Sequence, residues 1–147
     1  MTTTAHSRRS CGYAALVGIG TMAAVDEIIF HQLLQWHHFF DHATPAIGIV
    51  SDGLLHAMEL MALVAGFFLL IVLALQQRLI ARLAWAGFFI GAGGFQLFDG
   101  VVSHKILRIH QIRYDVDLLV YDVTWIASGL VLLLIGIGLY RRHVRRA

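Results

Sequence analysis

Twice in this chain an aspartate is followed five residues later by a histidine, and six residues after that by a second histidine: Asp26, His31 and His37, then Asp99, His104 and His110. Imidazole and carboxylate are the groups from which helical bundles build transition-metal sites, the imidazole suiting zinc, copper or iron and the carboxylate adding charge and hardness. Other segments carry the same chemistry as His56, Glu59 and Asp122, and Glu27 follows Asp26 directly. The single cysteine, Cys11, excludes a thiolate cluster and an intrachain disulfide. Only Met58 and Met61 lie close to this group in sequence, which argues against a soft methionine pathway for Cu(I).

The elements that must position these groups are read from hydropathy. Of 147 residues, 59% are hydrophobic and 14% charged, and the mean hydropathy is +0.74; this is a membrane composition that leaves no extramembrane domain. Apolar windows predict four helices at roughly 13–37, 54–75, 84–108 and 117–140, each suited to a hydrocarbon core of about 30 Å at 1.5 Å per residue. The whole chain is thus one all-α transmembrane domain, a four-helix bundle. The first apolar run follows Arg8-Arg9 like a signal peptide, but its helical pattern continues to Trp36, so it is read as a retained span. Gly91-Ala92-Gly93-Gly94 lies inside an apolar span and is a packing surface rather than a phosphate loop.

Arg8, Arg9, Arg78, Arg82, Arg141, Arg142, Arg145 and Arg146 flank the ends that an N-in, C-in topology puts in the cytoplasm, as the positive-inside rule requires. Tyr13, Trp85 and Tyr140 fall at that interface, with Trp36 and Tyr114 at the other. In this frame all nine acidic residues lie at the midplane or beyond it on the outer side, together with seven of the nine histidines. The polar site is therefore expected in the outer half of the membrane, facing away from the cytoplasm. Charges at such depth cost at least about 2.5–3.5 kcal/mol each on insertion scales, so they must face the bundle interior and be neutralised, paired or bound to a cation.

The two Asp-x4-His-x5-His segments stand 73 residues apart, and the same offset pairs Gly18 with Gly91 and Gly20 with Gly93. An offset of 63 pairs Asp52 with Asp115, Glu59 with Asp122 and Gly66 with Gly129. Two helical hairpins of one orientation follow, a parallel repeat about an axis along the membrane normal, whose shared site belongs at the interface of the halves. The glycines of the inner halves allow close helix approach, and a homodimer through those faces is compatible with them. Counting depth from the helix ends places His31, Glu59, His104 and Asp122 in one layer, with His56 just above and Asp26 and Asp99 below. One geometric difficulty stands out: on an ideal helical wheel His31 lies about 140° from Asp26, and His104 the same from Asp99. A local π-bulge would bring each pair together.

The expected function is metal binding by His31, His56, Glu59, His104 and Asp122, supported by Asp26, Asp99, His37 and His110, with copper or zinc ahead of iron. Beside an open coordination position, Glu27, Glu59, Asp99 or Tyr121 would support water activation or redox chemistry; no catalytic residue is assigned. Two other classes compete. Chains of Asp, Glu and His also make proton or ion relays, but the inner halves offer almost no titratable group to complete one. Bis-histidine haem between His31 and His104 is the other. A structural network, with Asp99 paired to Lys105 or Arg108, is the simplest alternative, and His38, Asp41 and His42 read as solvated loop groups. Nothing points to nucleic acid.

The segments 25–38 and 98–111, with Phe98-Asp99-Gly100 ahead of the second histidine pair and Val25-Asp26-Glu27 ahead of the first, resemble a bacterial family of small predicted membrane proteins, the domain of unknown function 2243. The resemblance implies a four-helix membrane protein and an association with respiratory-oxidase assembly, which leans towards copper.

Overall fold

The computed structural model describes residues 2–145, so Arg146 of the basic C-terminal run lies outside the described residues. The chain is all-helical: α1 (Thr2–Val25) continues into a π-helical segment (Asp26–Leu33), α2 spans Pro45–Leu75, α3 (Ala81–Leu97) continues into a second π-helical segment (Phe98–Leu107), and α4 spans Leu118–Val144. The four spans Ala5–Leu33, Pro45–Leu75, Ala81–Leu107 and Leu118–Val144 are each long and apolar enough to cross a membrane. With four crossings, both ends of the described chain lie on one face, together with Arg78 in the α2–α3 turn and Arg82 at the start of α3. The connectors 34–44 and 108–117 lie at the opposite end.

Two boundaries near the site differ from the hydropathy reading, each for a local reason. The first span stops at Leu33 and not His37, because Gln35 takes a left-handed backbone (φ 50°) that ends the helix and releases Trp36 and His37 into the connector. The third ends at Leu107, within one residue of the expected 108, where Arg108 takes the same left-handed backbone (φ 52°). The second span starts nine residues earlier than hydropathy places it, at Pro45, whose fixed φ and missing N–H suit the first helical position. Asp117 caps α4 by accepting from Leu119 N at 3.0 Å.

The helices form a row rather than a square. α1 and α3 pack side by side in parallel at the centre, α2 flanks α1, α4 flanks α3, and α2 and α4 do not touch. The central contact depends on glycine. A methyl group on Gly18 would strike the carbonyl of Phe88, one on Gly91 the carbonyl of Ala15, and one on Gly87 the carbonyl of Cys11. Close backbone approach of this kind is how helices gain dispersion energy in lipid, where no hydrophobic drive exists between them. The flanking helices use the same device: Gly20 sits against Glu59 and Leu63, Gly93 against Gly129 and Leu133, Gly66 against Tyr13 and Val17, and Gly136 against Ala86 and Ile90. These contacts of α2 and α4 recur at a spacing of 70 residues, not 63. Gly18, Gly20, Gly87, Gly91, Gly93, Gly129 and Gly136 of the inner halves thus lie against another helix of the same chain, while Gly94 faces open space. The outer surfaces of α2 and α4 expose Leu54, Met61, Phe68, Leu119, Val131 and Leu134, as lipid contact requires.

Gly91→Val should lower stability by about 1–3 kcal/mol through overpacking against backbone. Gly138→Ala, where nothing lies within 4 Å, should stay within about 0.5 kcal/mol of the parent. Thermal unfolding in detergent followed by circular dichroism checks both, and equal midpoints for the two variants would contradict the packing described.

Candidate metal centre

The π-helical segments remove the 140° difficulty. With bonds to the fifth residue back, such as Leu34 N to Ile29 O at 2.9 Å, residues five apart stack on one face. His31 Nε2 accordingly lies 3.7 Å from Asp26 Oδ2, and His104 Nε2 lies 3.1 Å from Asp99 Oδ2. Each segment is closed by a bond to the sixth residue back, Trp36 N to Phe30 O at 2.9 Å and Ile109 N to Ser103 O at 3.1 Å. The left-handed residues Gln35 and Arg108 then turn the chain back over the helix ends.

That return brings in the second histidine of each motif. His37 Nδ1 is 2.9 Å from the carbonyl of Ile112, and His110 Nδ1 is 2.9 Å from the carbonyl of Phe39. A carbonyl only accepts, so both Nδ1 atoms carry the proton and both Nε2 atoms are turned inward. The rings of His37 and His110 stack at 4.7 Å with an interplanar angle of 7°. His31 sits edge-on to His37 at 4.4 Å, and His104 edge-on to His110 at 4.7 Å. Asp41 N donates to Ile109 O at 3.0 Å, which ties the two connectors together over the four rings.

His31 is held from behind by carboxylates. Its Nδ1 lies 2.8 Å from Glu27 Oε2 and 3.0 Å from Asp52 Oδ1. Gln32 Nε2 donates to Glu27 Oε1 at 2.7 Å, and the backbone N of Phe39 donates to Asp52 Oδ1 at 2.7 Å. Asp52 Oδ2 meets His38 Nδ1 at 2.6 Å. His38 can lie on α2 there because Gly48 offers no side chain beneath it.

All six motif residues, with Glu27 and Asp52, are between 1% and 4% exposed. Yet Nε2 of His31, His37, His104 and His110, Nδ1 of His104 and Oδ2 of Asp99 have no hydrogen-bond partner. The close His104–Asp99 approach is therefore near without being aligned, both groups pointing towards a common space. Three sets of donor atoms converge within 4.8 Å: His37, His104 and His110; Asp26, His31 and His37; Glu27, His31 and Asp52. Burial foremost, then the neighbouring His31, His110 and His104, lowers the pKa of His37 from 6.5 to about 2, so its ring is neutral at physiological pH.

Glu59 and Asp122, expected in the same layer, and His56, expected just above it, are absent from these converging sets. His56, 49% exposed on its side chain, pairs with buried Glu59 (Nδ1 to Oε1, 2.6 Å), and Asp122 pairs with Lys105 at 2.6 Å. Asp99 consequently pairs with histidines and not with Lys105, and among the described residues α4 adds no side chain to the converging sets. His38 and His42 are not simply solvated: His38 holds Asp52, and His42 Nε2 meets the carbonyl of Arg108. The depth count missed Asp52 as a partner of His31 because it started α2 at residue 54, which put Asp52 outside the helix. Thr44-Pro45 was the available signal.

In the metal-free protein, imidazole nitrogen NMR should show His37 as the neutral Nδ1–H tautomer from pH 8 down to pH 5. A shift to the doubly protonated form within that range would contradict the buried, carbonyl-bound geometry.

No curated protein and no solved structure matches the chain. A family model, described as predicted membrane protein (DUF2243), matches residues 13–143 and so takes in all six motif residues and both connectors. The chain belongs to that family of membrane proteins.

Proposed function

We propose that this protein binds a transition-metal ion among His31, His37, His104, His110, Asp26 and Asp99. The observation that carries the reading is the set of four buried Nε2 atoms that make no aligned hydrogen bond among the described residues. Those of His31, His104 and His110 lie near the carboxylates of Asp26 and Asp99, and three of the four rings are tied at Nδ1 by a carbonyl or carboxylate. Ligating histidines are oriented in this way, the second nitrogen fixing tautomer and ring direction. Leaving one buried polar atom unpaired costs about 1–3 kcal/mol. A cation offsets several such costs at once, whereas a purely structural network would have used the same atoms as partners for each other.

Imidazole and carboxylate donors without thiolate favour copper or zinc ahead of iron. Cys11 lies in α1, towards the terminal face and far from the rings. Haem gains no support, since the stacked rings of His37 and His110 fill the space between His31 and His104. Proton translocation gains none either: from Gly12 to Val25 and from Leu83 to Phe98 the central helices carry Tyr13 as their one titratable side chain. Arginines gathered on the terminal face favour a site on the extracytoplasmic side of the inner membrane.

Elemental analysis of detergent-purified protein tests this directly. Wild type and His56→Ala should carry near-stoichiometric metal, and His31→Ala/His104→Ala, with its fold confirmed by circular dichroism, should carry little. Absence of metal from wild type after reconstitution with copper, zinc and iron would overturn the reading.

A further inference from the structure

The contacts around the centre are reciprocal. The His37 Nδ1 bond to the carbonyl of residue 112 is matched by the His110 Nδ1 bond to the carbonyl of residue 39, each partner displaced by 73. The Gly18–Phe88 contact is matched by Gly91–Ala15 at the same displacement. His31 to His110 measures 6.0 Å between ring centroids, and His37 to His104 measures 6.1 Å. When residue i meets j and the counterpart of j meets the counterpart of i, the two halves are related by a twofold axis. Such an axis passes between the stacked rings of His37 and His110.

An ion held by Asp26, His31 and His37 lies off that axis, and the same operation generates a second position among Asp99, His104 and His110. There His104 Nε2 is 3.1 Å and His110 Nε2 3.4 Å from the Asp99 carboxylate. We propose, resting on the metal reading above, that the centre holds two cations, one in each Asp-His-His set, with the stacked pair between them. The two positions are unequal. Behind His31 stand Glu27 and Asp52. In the other half Gly100 occupies the place corresponding to Glu27, with the Trp125 ring packed against it. Asp122, on that side, is already paired with Lys105 at 2.6 Å. The more anionic His31 position fills first.

Titrating the metal-free full-length protein in detergent with Zn2+ tests the inference, bound metal being counted after gel filtration. Two ions per chain are expected, with affinities at least about 10-fold apart. Asp26→Asn should lose the tighter ion, Asp99→Asn the weaker, and each should retain one. Cu2+ loaded at two per chain should give a magnetically coupled electron paramagnetic resonance spectrum, a readout that needs no variant. One ion per wild-type chain, with an uncoupled copper signal, would overturn the two-ion inference while leaving metal binding intact; no ion at all would overturn both.

Discussion

An imidazole buried in a membrane can keep one nitrogen free only if the other is held, and here the holding is done by backbone. The bonds from His37 to the carbonyl of Ile112 and from His110 to the carbonyl of Phe39 fix two tautomers, stack two rings and join the two connectors. Each connector supplies both a ring and the carbonyl that orients the other connector's ring. Neither half can therefore be shaped alone. The glycine contacts between α1 and α3 serve the same end, since a wider helix separation would pull the connectors, and with them the rings, apart.

The π-helical segments are the second constraint. A π turn has poorer packing than an α turn and persists where something is gained by it, commonly at functional sites. Here it turns Asp26 onto the face of His31 and Asp99 onto the face of His104. The distortion occurs twice, at corresponding places, and both times ends in a non-glycine residue with positive φ, Gln35 and Arg108. Such backbone costs on the order of 1 kcal/mol per residue or more and is kept only where surrounding structure enforces it. The bonds that tie the connectors together provide that enforcement.

Much of this was legible in the sequence. The doubled Asp-x4-His-x5-His spacing named the six residues that the structure brings together, while the 140° misfit on an ideal wheel is met by a π distortion that spacing alone does not encode. Four spans and the concentration of charge at one end followed from hydropathy. What was not legible came from the helix starts. Depth is counted from a helix end, so placing α2 at residue 54 and not Pro45 put Glu59 in the ring layer with His56 just above it, and left Asp52 outside the helix. The separation of Asp122 from the rings had a different cause. Lys105 on the adjoining π segment reaches it at 2.6 Å, a pairing that hydropathy and spacing do not encode.

The proposed centre requires the four histidine Nε2 atoms to be ligands and not merely buried. X-ray absorption at the edge of the bound metal tests it most directly. The proposed centre predicts a shell of nitrogen and oxygen near 2.0–2.2 Å, the outer-shell scattering of imidazole rings and no sulfur. A first shell containing sulfur near 2.3 Å, or one without imidazole scattering, would contradict it.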